Sequence, residues 1–88
     1  MAQKTWKIGE RAVGGRIQAT IAGQAITIKA LDDGGKTVAT ATTILDEASA
    51  QNARTAIREF LWTLTTDFYV DKILDWISDN SILPNTDW

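Results

Sequence analysis

The run RIQATIAGQAITIKALDD, residues 16–33, constrains the fold of this chain more than any other stretch. Ile17, Ala19 and Ile21, then Ile26, Ile28 and Ala30, fall on one side of an extended chain, while Gln18, Thr20, Thr27 and Lys29 fall on the other. A period of two is the pattern of a half-buried strand, because successive side chains of extended backbone point to opposite faces. Gly23-Gln24 between the two runs suits a type II′ hairpin turn, whose first central residue needs positive φ. That loop sets Ile21 opposite Ile26, Ala19 opposite Ile28 and Thr20 opposite Thr27, so both faces match across the pair.

A second hairpin follows. LDDGG separates the first pair from KTVATATTI, which is rich in the β-branched residues that pack well on a pleated surface. A two-residue loop here turns Ala39 and Ala41 to the core; a three-residue loop turns Val38, Thr40 and Thr42 there instead. Upstream, KTWKIG alternates Trp6 and Ile8 about Lys7, which predicts a short further strand, and GERAVGG reads as a connector.

The same region carries the chain's one apparent nucleotide motif. Ala30 to Thr37 fits the loosest phosphate-loop pattern, a small residue, four of any kind, then Gly35-Lys36-Thr37. Such a loop works because a helix starts directly after it and aims its free N–H groups at the phosphates. Here a strand follows, and Asp32 and Asp33 place negative charge where a polyphosphate would sit. The segment reads as a turn, and no nucleotide is expected.

From Asp46, a candidate N-cap, to Asn80 there is neither glycine nor proline. Ala53, Ile57, Phe60, Leu64 and Phe68 recur at helical spacing and form one apolar stripe. Beyond Thr65-Thr66 the phase shifts, and Tyr69, Ile73, Trp76 and Ile77 form a second stripe, with Trp62 in the same sector. On one continuous helix the stripes lie nearly opposite each other. Threonine is a mediocre helix former and Thr or Asp can cap, which favours a break or kink at Thr65-Thr66-Asp67. The expected fold is α+β: an antiparallel β-meander of three to four strands over 1–45, then one long kinked helix or two C-terminal helices over 46–80 packed on one face. Residues 81–88 form a tail, and 1–88 is a single domain.

Composition narrows the chemistry. The chain has no cysteine and no histidine, which removes the usual zinc ligands, the commonest general base and most nucleophile–base pairs. No catalytic, cofactor-binding or metal-binding residue stands out, and neither an enzyme nor a cofactor is expected. Asp67, Asp71, Asp75 and Asp79 repeat every four residues, but a row along one helix side cannot surround calcium, and it reads as a solvated face. A net charge of −2 is too small for a mimic of nucleic-acid phosphates. No apolar run reaches the roughly 20 residues of a membrane span, and residues 1–15 lack a signal peptide's apolar segment, so a cytoplasmic protein without a membrane partner is expected.

Two classes of partner remain. One small sheet face has difficulty sheltering two opposed stripes, so Trp62, Tyr69, Ile73 and Trp76 are the candidate interface with a protein partner or a second copy in a homodimer. The alternative is nucleic acid, held by Arg11, Arg16, Lys29 and Lys36 on the outer sheet face. Residues 1–45 carry six Lys/Arg against three Asp/Glu, and 46–88 carry three against eight, which sums to −2. An overall pI near 4.8 and the lack of an aromatic platform on that face make nucleic acid the lesser expectation.

The segments KTWKIGERAVGG and LTTDFYVDKILDWI together resemble small uncharacterised proteins of the tailed phages of marine cyanobacteria. In these a Lys-Thr-Trp-Lys-Ile-Gly-Glu opening and a Leu-Thr-Thr, aromatic, Asp-Trp-Ile ending recur. The matched residues cover under a third of the chain and carry no known chemistry. The resemblance implies a phage origin and the host-cell cytoplasm as location.

Overall fold

The computed structural model describes residues 2–8, 14–45 and 50–80. Four strands, β1 (Ala2–Lys7), β2 (Arg16–Ala22), β3 (Ala25–Leu31) and β4 (Thr37–Ile44), form one antiparallel sheet in chain order. Two helices follow, α1 (Ala50–Leu64) and α2 (Asp67–Asn80). The fold is α+β with a β-meander. Asp46 and the GERAVGG connector apart from its last two glycines lie outside the described residues. Among the described residues no helix is long and apolar enough to cross a membrane.

The β2–β3 hairpin has the register that its alternation demands: Ile21 pairs with Ile26, Thr20 with Thr27 and Ala19 with Ile28. Gly23 opens its turn at φ +59, a conformation a β-carbon disfavours. The next turn is longer than either length weighed from the sequence. Leu31 pairs with Thr37, leaving residues 32–36 as the loop, and a register shift beside Leu31 makes Ala30 the partner of Ala39. Val38 is the extra residue of this bulge, and the shift brings Ala39 and Ala41 to the inner face.

The inner face carries Ile17, Ala19 and Ile21 from β2 and Ile26, Ile28 and Ala30 from β3, all buried. Both helices cover it. Ala53, Ile57, Leu61 and Leu64 are the buried stripe of α1; Val70, Ile73, Leu74 and Ile77 are that of α2. Each fully buried Ile or Leu stabilises the fold by about 1.5–3 kcal/mol relative to exposure.

The link explains how both stripes reach one core. Thr65 N–H closes α1 by donating to Leu61 O at 3.0 Å, and Thr66 O accepts Tyr69 N–H at 3.1 Å and Val70 N–H at 3.0 Å, which opens α2. Asp67 sits in the first turn of α2, where a negative charge is favoured. On an unbroken helix Ile57 and Ile73 would face about 160° apart. The break resets the phase, and both turn to the sheet. Two expectations are corrected here. Phe68 leaves the inward stripe because it belongs to the new helix, and Leu61 rather than Phe60 takes the central place on α1, with Phe60 only half-buried. Ile73 is fully enclosed in the core, so it has no surface to offer a partner.

Candidate functional site

The exposed aromatic side chains lie on either side of the link between α1 and α2. Trp62, opposite the buried face of α1, is 52% exposed, and Phe68, in the first turn of α2, is 61% exposed. Trp62 precedes the Thr65-Thr66 link by three residues and Phe68 follows it by two, so both flank one corner of the molecule. Tyr69 is half-buried and meets Phe68 edge-on, with ring centroids 5.1 Å apart at 86°. Lys72 Nζ lies 4.6 Å from the centre of the Phe68 ring, one turn along the helix. A T-shaped pair with a cation on its face keeps Phe68 in a defined orientation without hiding it, which suits a ring that must be met by another surface.

Trp76 is placed elsewhere. It is half-buried on α2 and packs edge-on against Trp6 of β1, at 5.6 Å and 86°. Lys4 Nζ stands 5.5 Å from the Trp6 ring centre. The two indoles close the β1 side of the core and belong to the packing of α2. Of the four candidate interface residues, then, Trp62 and Tyr69 sit at the corner, Trp76 flanks the core, and Ile73 is inside it. Phe68 was missed because the periodicity counts it onto the α1 stripe; a break placed at Thr65-Thr66 would have released it.

The helices leave the other side of the sheet open. The strand register puts Lys7 directly opposite Arg16, and Lys29 opposite Gln18 one row further on. Lys7, Arg16 and Lys29 therefore share the end of the outer face nearest the β3–β4 loop, and no strand residue on that face is acidic. Lys36 is exposed in the loop, and Arg11 lies outside the described residues. Lys7 was missed, although the alternation of KTWKIG already placed it opposite Trp6 and Ile8.

The β3–β4 loop answers the nucleotide question by geometry. It joins two antiparallel strands, and no helix begins after Thr37. Asp32 Oδ1 accepts the N–H of Gly34 at 3.0 Å and of Lys36 at 2.8 Å, while Gly35 N–H donates to Asp32 O at 3.0 Å. The amides that a phosphate would need already hold the loop's own carboxylate, an ordinary Asx arrangement. Asp67, Asp71, Asp75 and Asp79 are all exposed along α2. Among the described residues no group of carboxylates could hold a metal ion. No protein-family model, curated protein or solved structure matches this chain.

Proposed function

We propose that this chain is a non-enzymatic interaction protein that docks on a host-cell protein through the aromatic corner formed by Trp62, Phe68 and Tyr69. One observation carries the reading: two large aromatic side chains, each more than half exposed, flank the same interhelical link, while the inward stripes of both helices are buried. Aromatic side chains of this kind supply much of the energy at protein interfaces, since they bury large area at small entropic cost. The resemblance to phage proteins is what favours a host protein over a second copy as the partner.

The test is affinity capture from cyanobacterial lysate with the wild-type chain and with Trp62→Ala and Phe68→Ala in parallel. Loss of a hot-spot aromatic costs about 2–4 kcal/mol, so each variant weakens the captured complex by roughly 30- to 1,000-fold. A partner retained equally by wild type and both variants contradicts the reading.

A second reading is supported by the open outer face. Lys7, Arg16 and Lys29, with Lys36 at the loop, form a basic patch that fits the phosphates of a nucleic acid. An overall pI near 4.8 weighs against it. A gel shift decides: complexes that dissolve as salt rises support it, and no retardation at low salt ends it.

A further inference from the structure

The sheet has two edges, and they are built differently. β1 carries Lys4 and Lys7, the kind of charge that keeps an edge strand from recruiting another chain. β4, TVATATTI, has no charged residue and no proline. Its outer face also holds two of the four exposed large hydrophobic residues among the described residues, Val38 at 48% and Ile44 at 54%. Ala39, Ala41 and Thr43 on its inner face are only half-buried, so the core thins toward this edge.

The direction of the free backbone groups follows from one hydrogen bond. Leu45 N–H donates to Gln24 O at 2.7 Å, extending the pairing of Ile44 with Ala25 by one residue. Antiparallel ladders alternate hydrogen-bonded and non-hydrogen-bonded pairs. If Leu45 is bonded inward, so are Thr43, Ala41 and Ala39. The N–H and C=O groups of Thr40, Thr42 and Ile44 therefore point out of the sheet edge.

The outward side chains of β4 are alike in character in both directions about Ala41, valine and isoleucine at the ends and threonine on either side of the centre. An antiparallel copy related by a two-fold axis there places Val38 opposite Ile44, Thr40 opposite Thr42, and Ala39 opposite Thr43 of the second chain. On the outer face apolar meets apolar and hydroxyl meets hydroxyl, on the inner face alanine meets threonine, and the outward backbone groups of Thr40 meet those of Thr42 reciprocally. The bulge lies at the Val38 end and leaves Ala39–Ile44 regular. Threonines already pair across this sheet, since Thr27 Oγ1 and Thr42 Oγ1 are 3.1 Å apart.

We propose that β4 pairs with β4 of a second copy about Ala41, joining two four-stranded sheets into one of eight strands. The contact is isologous, so it closes on itself, and the lysine-bearing β1 strands are left at both outer edges. Strand pairing alone buries an area at the small end of specific interfaces, so the dimer is reversible and its population rises with concentration. The inference does not rest on the aromatic corner, which lies on the helices.

Because the chain has no cysteine, single cysteines report the register directly. Across a non-hydrogen-bonded antiparallel pair the β-carbons lie about 4.5 Å apart, within reach of a disulfide. Ala41→Cys is expected to oxidise to a covalent dimer, whereas Thr43→Cys, facing Ala39 rather than its own copy, is not. Sedimentation velocity supplies the second arm. Thr40→Lys/Thr42→Lys sets lysine against lysine and is expected to abolish the dimer, and Thr40→Lys/Thr42→Glu sets lysine against glutamate and is expected to restore it.

A wild-type chain that stays monomeric up to about a millimolar overturns the proposal, even if its β4 edge takes up an extended peptide from another protein. Equal crosslinking of both cysteine variants overturns the register. A dimer that dissociates with Trp62→Ala but ignores the β4 variants overturns it as well, and transfers self-association to the helical corner.

Discussion

Gly14 and Gly23 both have positive φ, yet the structure asks different things of them. A β-carbon on Gly14, at φ +77, would stand 2.6 Å from Leu31 O and 2.9 Å from Val38 Cγ2. Backbone cannot step aside, so the glycine is what lets the entry to β2 pass over the end of the β3–β4 hairpin. At Gly23, φ +59, nothing lies within 4 Å, and only the conformation itself resists a side chain. Gly14→Ala is expected to cost about 2–3 kcal/mol and lower Tm by on the order of 10 °C or more. Gly23→Ala is expected to cost about 1 kcal/mol. Thermal unfolding followed by circular dichroism separates the two; equal losses would mean that the close approach at Gly14 carries no energy. The sequence marks Gly23 as a turn residue and Gly14 as part of a connector, but it contains nothing that distinguishes a crowded glycine from an open one.

Among the elements, the helical pair turns on two threonines. A run of helix-compatible residues from 50 to 80 offers two apolar stripes, and only their relative phase tells whether they serve one core or two surfaces. The Thr65-Thr66 break gives both to the core, and the aromatic rings near the break stay out. This separates residues that share a stripe on paper. Ile73→Ala, which opens a cavity in a fully buried position, is expected to destabilise the domain by about 2–5 kcal/mol. Trp62→Ala is expected to change stability by less than about 1 kcal/mol, because half of the ring is already in water. Urea denaturation measures both, and a Trp62→Ala loss as large as that of Ile73→Ala would make Trp62 a packing residue. The β2–β3 hairpin was legible throughout because its turn, alternation and cross-strand pairs agree. The β3–β4 turn was less so, since a bulge changes the parity of a strand without leaving a mark in its composition.

For the molecule as a whole, placing both helices on one side gives it three unlike surfaces. The inner face is consumed by packing, with Trp6 of β1 against Trp76 of α2 tying the first strand to the last helix. The outer sheet face gathers Lys7, Arg16 and Lys29, and the solvent side of α2 shows Asp67, Asp71, Asp75 and Asp79, so the basic first half and acidic second half of the chain become opposite sides of one body. At the rim lies β4, uncharged and unpaired on one side within a single chain. A second copy paired there, as proposed, extends the sheet and with it the basic outer face.

What the amino-acid sequence determined by itself was local: which segments extend, how the first hairpin pairs, that the Gly35-Lys36-Thr37 motif lies in a turn, and where the helical phase changes. Those features depend on neighbours within a few residues, where backbone geometry and side-chain period act directly. What only the tertiary structure decided was assignment: Ile73 to the core and Phe68 to the surface, Trp76 to a partner inside the fold, and β4 to an open edge. Each of these depends on which distant surface arrives first to cover a side chain. That is set by the orientation of whole elements, to which a linear pattern has no access.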